Sequence, residues 1–326
     1  MAKKVVFLGT GGTIAGRSAD RSDNVGYQSA QVGVAQLLEG LPALAVALQG
    51  VAPESEQVAQ VDSKGMNWPQ WQALHDRALH HLQLDDVGAL VITHGTDTLE
   101  ETAFFLSQVL PADLLASKPV VFTCAMRPST SNFPDGPKNL CDAAVVANAA
   151  GAQGVLVVCA AAVHTARDVQ KVHPYRLDAF SSGETGPVGF VEEGDVRWVR
   201  AARPDGSSAK PSLQLPPDAW PRVEIVVNAV GMGGASVRAL CASPSAPDVP
   251  VRGIVVAGTG NGTTNHDMEV ALAAARSQGI RVVITTRCAS GQLVRARGAP
   301  EVDAQYLGLS VVKARIALVL ELLAKR

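Results

Sequence analysis

Val5-Val6-Phe7-Leu8-Gly9-Thr10-Gly11-Gly12-Thr13-Ile14-Ala15-Gly16 opens the 326-residue chain with an unbroken apolar run that stops at a cluster of glycines. Continuous rather than alternating hydrophobicity is the pattern of a strand covered on both faces, as in a parallel sheet. Runs of the same kind recur at 89–93, 120–124, 155–159, 224–227, 254–257 and 282–286. Helical patterns fall between them at 30–38, 69–82, 99–109, 138–150, 265–277 and 310–325. Strands alternating with helices predict an α/β fold with a mostly parallel sheet flanked by helices. Residues 192–221 break the rhythm with Gly, Pro, Ser and charge, including Pro204-Asp205-Gly206-Ser207-Ser208 and Pro216-Pro217. Such composition marks an exposed linker. The expected organisation is an N-terminal catalytic domain at 1–192, a linker at 193–220 and a smaller C-terminal α/β domain at 221–326.

The chain is 47% hydrophobic and 18% charged, with a net charge of −2. This balance lacks the basic footprint of a nucleic-acid binder. Five cysteines stand far apart with no Cys-x-x-Cys pair, which removes zinc ribbons and dithiol redox motifs. No apolar run is long enough to span a membrane. The N-terminus enters a strand almost at once and shows no secretory pattern, so a soluble cytoplasmic protein is expected.

Two segments carry chemistry. In an open α/β sheet, ligands bind beyond the carboxyl ends of the strands, where Thr13 sits. Thr13 reads equally as a turn or helix-cap residue. A dinucleotide fingerprint starting at Gly9 needs glycine at position 14, where Ile14 stands. A phosphate-loop pattern fits Gly11 to Ser18 except that Arg17 replaces the lysine that contacts the phosphates. The second segment is Val91-Ile92-Thr93-His94-Gly95-Thr96-Asp97-Thr98-Leu99-Glu100-Glu101-Thr102. It runs from strand through turn to helix, with Thr96 and Asp97 at the turn. Asp97 or Thr98 could serve as the helix cap, and Glu100 and Glu101 suit its first turn. Caps do not require a neighbouring Thr–Asp pair at the mouth of a sheet.

Thr10-Gly-Gly-Thr-Ile-Ala-Gly16 and His94-Gly-Thr-Asp-Thr98 resemble the two signatures of the bacterial L-asparaginase family. The likeness continues through Ala125-Met126-Arg127-Pro128-Ser129-Thr130-Ser131, Asp135-Gly136-Pro137, Arg167-Asp168-Val169-Gln170-Lys171 and the loop from Gly258 to Gly262. It covers essentially the whole chain. The resemblance implies a cofactor-free amidohydrolase that releases ammonia from L-asparagine. Thr13 would be the nucleophile, forming a β-aspartyl ester that splits hydrolysis into two easier steps. Thr96, Asp97 and Lys171 match the family's Thr–Lys–Asp constellation, in which a neutral lysine accepts a proton through the threonine. Tyr27 matches a mobile-loop tyrosine that assists Thr13. The polar stretch between Gly16 and Gly26 suits a lid. Ser63 would hold the substrate's α-carboxylate, Asp97 its α-ammonium, and the Ala125 carbonyl the amide hydrogens.

Two positions depart from the pattern. Lys64 stands where the family commonly has glutamine, and it would pair either with the substrate carboxylate or with a protein acid. Thr263 stands where many relatives carry a second asparagine, implying a weaker substrate contact. Glu301 looks like the acid that reaches into a neighbour's site, which implies dimers with shared sites assembled into a homotetramer. No nucleic-acid or membrane partner is expected. The alternative within amide chemistry is a mixed glutaminase-asparaginase. A tRNA amidotransferase subunit would need a further N-terminal domain and a basic surface. A non-catalytic binding protein is disfavoured by the retention of Thr13, Tyr27, Thr96, Asp97 and Lys171.

Overall fold

The computed structural model describes residues 3–39, 41–204, 213, 216–242, 249–294, 297 and 304–325. The chain divides into two compact units, Met1–Lys210 and Pro211–Arg326.

In the first unit the elements are β1 (Lys4–Gly11), α1 (Val34–Glu39), α2 (Pro42–Ala47), β2 (Pro53–Val61), α3 (Trp68–Gln83), β3 (Val87–Thr93), α4 (Leu99–Val109), α5 (Ala112–Ser117), β4 (Val120–Thr123), α6 (Gly136–Asn148), β5 (Val155–Cys159), β6 (Ala162–Thr165), β7 (Gln170–Lys171), β8 (Phe180–Ser181), β9 (Gly189–Glu192) and β10 (Asp195–Trp198). Eight strands form one sheet in the order β10-β9-β6-β5-β4-β3-β1-β2. The five from β5 to β2 are parallel, and β6, β9 and β10 extend the sheet antiparallel. Successive side chains of a strand point to opposite faces. Val5 and Phe7 share a buried cluster with Leu140, Ala143 and Ala144 of α6, while the alternate residues Val6 and Leu8 are buried just as fully. Both faces are therefore covered, which accounts for the unbroken apolar runs. Burying each such side chain contributes about 1.5–3 kcal/mol. Trp71 of α3 stacks on Phe105 of α4 at 4.6 Å between ring centroids, and its indole N–H donates to Thr102 Oγ1 at 3.0 Å.

The second unit is a parallel three-stranded sheet of β11 (Arg222–Val227), β12 (Val251–Gly258) and β13 (Arg281–Thr286), with α7 (Ala235–Cys241), α8 (His266–Ser277) and α9 (Val311–Ala324). Ile254 and Val256 of β12 share its core with Met268 and Leu272 of α8.

Two expectations need correction. The helix expected from residue 30 begins at Val34, because Ala30 takes a left-handed φ of 56° that no helix accommodates. The segment expected as linker from 193 begins instead with a strand. Glu193 and Gly194, at φ 47° and 85°, make a two-residue hairpin that pairs Glu192 with Asp195 and Val191 with Val196. Positive φ at both turn residues matches the right-handed twist of the flanking strands.

Candidate active site

In chain order β1 is followed by β2 on one side, and the chain then returns to place β3 on the other. The crevice at such a reversal, outside the carboxyl ends of the strands, is where open α/β sheets bind ligands. Gly9 of β1 is level with Thr93 of β3, so the segments bearing Thr13 and Thr96 leave the sheet side by side. They touch backbone to backbone. A Cβ on Gly12 would lie 2.3 Å from the Gly95 Cα, and Gly12 also holds a φ of +83°. Only glycine supplies both the space and the conformation.

Thr13 begins a single 3-10 turn, with Gly12 as its cap residue and no side-chain capping bond. Its buried hydroxyl instead lies 2.6 Å from the Tyr27 hydroxyl. The segment does not continue into the helix a phosphate loop requires. It closes in an antiparallel bridge between Arg17 and Gln28. The intervening loop is turned by Asp20, which accepts from Ser22, and by Asp23, which accepts from Val25 and Gly26. It is fastened to the segment after β4. Ser129 Oγ donates to the Gly16 carbonyl at 2.7 Å, the Ser18 N–H to Thr130 Oγ1 at 2.8 Å, and Ser131 Oγ to Asn24 Oδ1 at 2.7 Å.

Thr96, Asp97 and Lys171 come together across 75 residues of chain. Lys171 Nζ donates to Thr96 Oγ1 at 2.8 Å and to Asp97 Oδ1 at 2.6 Å. The Thr96 hydroxyl lies 3.5 Å from the same carboxylate oxygen. Thr98 occupies the cap of α4 without a capping bond, so Asp97 is turned to the lysine rather than to the helix. Lys171 ends β7, which follows a turn held by Asp168. That carboxylate accepts from Thr165 Oγ1 and from Arg200, each at 2.8 Å. Ser63 is buried between the two signatures. Its hydroxyl accepts from the Asp97 N–H at 3.2 Å, and its carbonyl accepts from Thr98 Oγ1 at 2.8 Å.

The remaining candidates separate. Lys64 points outward, 77% exposed, and pairs with Asp62 at 3.1 Å. Ala125 is fully buried directly after β4. Thr263 belongs to the second unit, where its hydroxyl lies 3.0 Å from Thr259 Oγ1. Glu301 lies outside the described residues.

His94 has a structural part that sequence reasoning missed. It is fully buried, and its Nδ1 lies 2.7 Å from the Gly95 carbonyl, which fixes the turn before Thr96. Burial lowers its pKa to about 4, so the ring is neutral at physiological pH. Asp135 and Asn139, which grip the backbone after β4, were also missed as site residues. Their only sequence signal is Asp135-Gly136-Pro137, an ordinary helix start. Among the described residues no group of three or more His, Cys, Asp or Glu is placed to hold a metal ion.

Chemically, the crevice offers one hydroxyl paired with a phenol and a second hydroxyl hydrogen-bonded to an amine. Comparisons with known proteins give the chain's relatives. The family profile "Asparaginase, N-terminal" matches residues 4–203, and "Glutaminase/Asparaginase C-terminal domain" matches residues 222–325. The chain is 35% identical to L-asparaginase 2 of Escherichia coli over 327 residues, covering 98% of this chain and 88% of that protein. It is also 35% identical to the glutaminase-asparaginase of Pseudomonas fluorescens over 308 residues, 93% of this chain and 80% of the other. A crystal structure of a probable cytoplasmic L-asparaginase from Campylobacter jejuni superposes with a TM-score of 0.86 at 31% identity, covering 98% of this chain and 95% of that one.

Proposed function

This chain belongs to the bacterial L-asparaginase family of amidohydrolases, and on that premise we propose that it hydrolyses L-asparagine to L-aspartate and ammonia through an ester on Thr13. The observation that carries the reading is the pairing of two hydroxyl clusters at the switch point of the sheet, Thr13 with Tyr27 and Thr96 with Lys171 and Asp97.

Thr13 Oγ attacks the side-chain amide carbon. The C–N bond breaks, nitrogen leaves as ammonia carrying the threonine proton, and a β-aspartyl ester remains. The Tyr27 hydroxyl, 2.6 Å away, is in reach to relay that proton. Water then adds to the ester, the C–O bond breaks, and Thr13 regains its proton. Lys171 and Thr96 share a hydrogen bond along which a proton can pass during the reaction, and Asp97 orients the lysine. Ser63 holds the α-carboxylate and Asp97 the α-ammonium. The Ala125 carbonyl accepts an amide N–H. We further propose a cytoplasmic homotetramer built from dimers, which cell fractionation and light scattering test.

Thr13→Ala and Thr96→Val are each expected to cut ammonia release from L-asparagine by roughly three orders of magnitude while the protein stays folded, because residues that act as a unit fail together. Near-native turnover in Thr13→Ala overturns the mechanism. A second reading, a mixed glutaminase-asparaginase, is favoured by the Pseudomonas fluorescens relative at equal identity. Coupled ammonia release on L-Asn, D-Asn and L-Gln separates the two.

A further inference from the structure

Ala125 is fully buried, and among the described residues no hydrogen bond is made to its carbonyl. Buried backbone acceptors are nearly always paired, so an unpaired one at the mouth of a sheet is a ready acceptor for a ligand N–H. What surrounds it fixes its direction. The Met126 N–H belongs to the same planar peptide as the Ala125 carbonyl, and it donates to Asp135 Oδ2 at 2.9 Å. In a trans peptide the N–H and C=O point in opposite directions, so Asp135 turns that carbonyl away from itself. The next peptide is held by the other carboxylate oxygen, which accepts from the Arg127 N–H at 3.0 Å. The preceding one is held through the Cys124 carbonyl, which accepts from Asn139 Nδ2 at 2.9 Å. Asn139 is itself buried and held, since its Oδ1 accepts from the Ala160 N–H at 3.1 Å.

Three consecutive peptides are thus oriented by two side chains of one helix start. The same helix start lies beside the nucleophile's turn. A Cβ on Gly136 would meet Ile14, the neighbour of Thr13, at 3.0 Å and the Ala125 Cβ at 3.5 Å. Burial raises the Asp135 pKa from its ordinary value, a cost the fold carries at a position where a neutral cap would suffice for the helix alone.

We propose that Asp135 and Asn139 are positioning residues that aim the Ala125 carbonyl at the substrate's amide N–H, and that this aim sets the enzyme's preference for primary amides over esters. An ester presents oxygen where the amide presents N–H, so it gains nothing from the carbonyl and meets its lone pairs. The proposal rests on the reading that Thr13 attacks a side-chain amide.

The test is kcat/KM for L-asparagine and for L-aspartate β-methyl ester. Both would form the same acyl-enzyme, so kcat/KM compares only the step that differs. In Asp135→Asn, one of the two accepting oxygens becomes an NH2 group. The amide value is expected to fall about tenfold or more, with the ester value falling about threefold or less. Both substrates see the same folded fraction, so the ratio is insensitive to lost stability. Where Asp135→Asn does not fold, Asp135→Ser retains a single acceptor and is read in the same way. An equal fall on both substrates, or no fall on either, overturns the proposal. Thr13→Ala run alongside separates the two ideas: if it keeps activity on both substrates the nucleophile assignment fails, whatever the Asp135 ratio shows.

Discussion

Lys64 illustrates how far a single residue is decided by its surroundings. As a sequence position beside Ser63, it could face substrate or protein. The structure gives it Asp62 at 3.1 Å on an exposed surface. Such pairs contribute about 0–1 kcal/mol, because water screens them and two long side chains lose freedom. Lys64→Gln is therefore expected to leave stability within about 0.5 kcal/mol and the asparagine-to-glutamine efficiency ratio unchanged. Steady-state ammonia release on both substrates checks this, and a shifted ratio would return the ammonium to the substrate. Lys171 is the opposite case. Read alone it is a surface charge, and only the motif around it singles it out. The structure then buries most of its side chain, leaving 15% exposed, and aims it at Thr96 and Asp97. Asp135 and Asn139 were illegible for a different reason. They act through peptide planes, so no pattern of chemically reactive residue types reveals them.

At the scale of elements, the loop leading to Tyr27 is the part whose hold can be measured. The loop from Arg17 to Gly26 carries Tyr27 at its end and is fastened by Ser129, Thr130 and Ser131. Thr130 both accepts from the Ser18 N–H at 2.8 Å and donates to the Ser18 carbonyl at 3.2 Å. Each bond is worth about 0.5–1.5 kcal/mol net. Thr130→Val keeps the shape and removes both. The variant is expected to raise KM for L-asparagine several-fold and to speed proteolytic cleavage within the loop, with global unfolding unchanged. Unaltered cleavage would show that the loop holds itself closed through Asp20 and Asp23. The elements themselves were unevenly legible. β1, β3, β4 and β5 were readable because both their faces are buried. β2 was not, since it lies at the sheet's edge, where Glu54, Ser55 and Gln57 are exposed and Val58, Ala59 and Val61 are only partly buried. β10 was hidden by its turn, whose Glu193-Gly194 reads as linker composition until its φ values are known. The helices α2, α5 and α7 are six or seven residues long and too short to show a period.

For the molecule as a whole, the same burial that shapes the site makes stability depend on pH. The two units have separate cores, and the first contains His94, fully buried with its pKa lowered to about 4. Desolvation is the larger cause, and the bond to the Gly95 carbonyl only partly opposes it. An unfolded histidine titrates near pH 6.5. Between that value and about 4 the unfolded chain takes up a proton that the folded ring refuses, so stability falls across this window as the solution is acidified. Below about 4 both states are protonated and the loss levels off. A shift of this size corresponds to roughly 3 kcal/mol, a large share of the stability of an ordinary domain. Urea unfolding of the wild type is therefore expected to show a midpoint that drops between pH 7 and pH 4. The histidine contribution should vanish in His94→Asn, which has no group to protonate there. His94→Asn is also expected to be less stable at pH 7, because it loses the ring that fills the space beside Phe122, centroid to centroid 5.9 Å. The informative quantity is the pH slope, not the absolute midpoint. Parallel slopes for the two proteins would mean that acid sensitivity arises elsewhere. A flatter slope in the variant would locate it at the turn that carries Thr96.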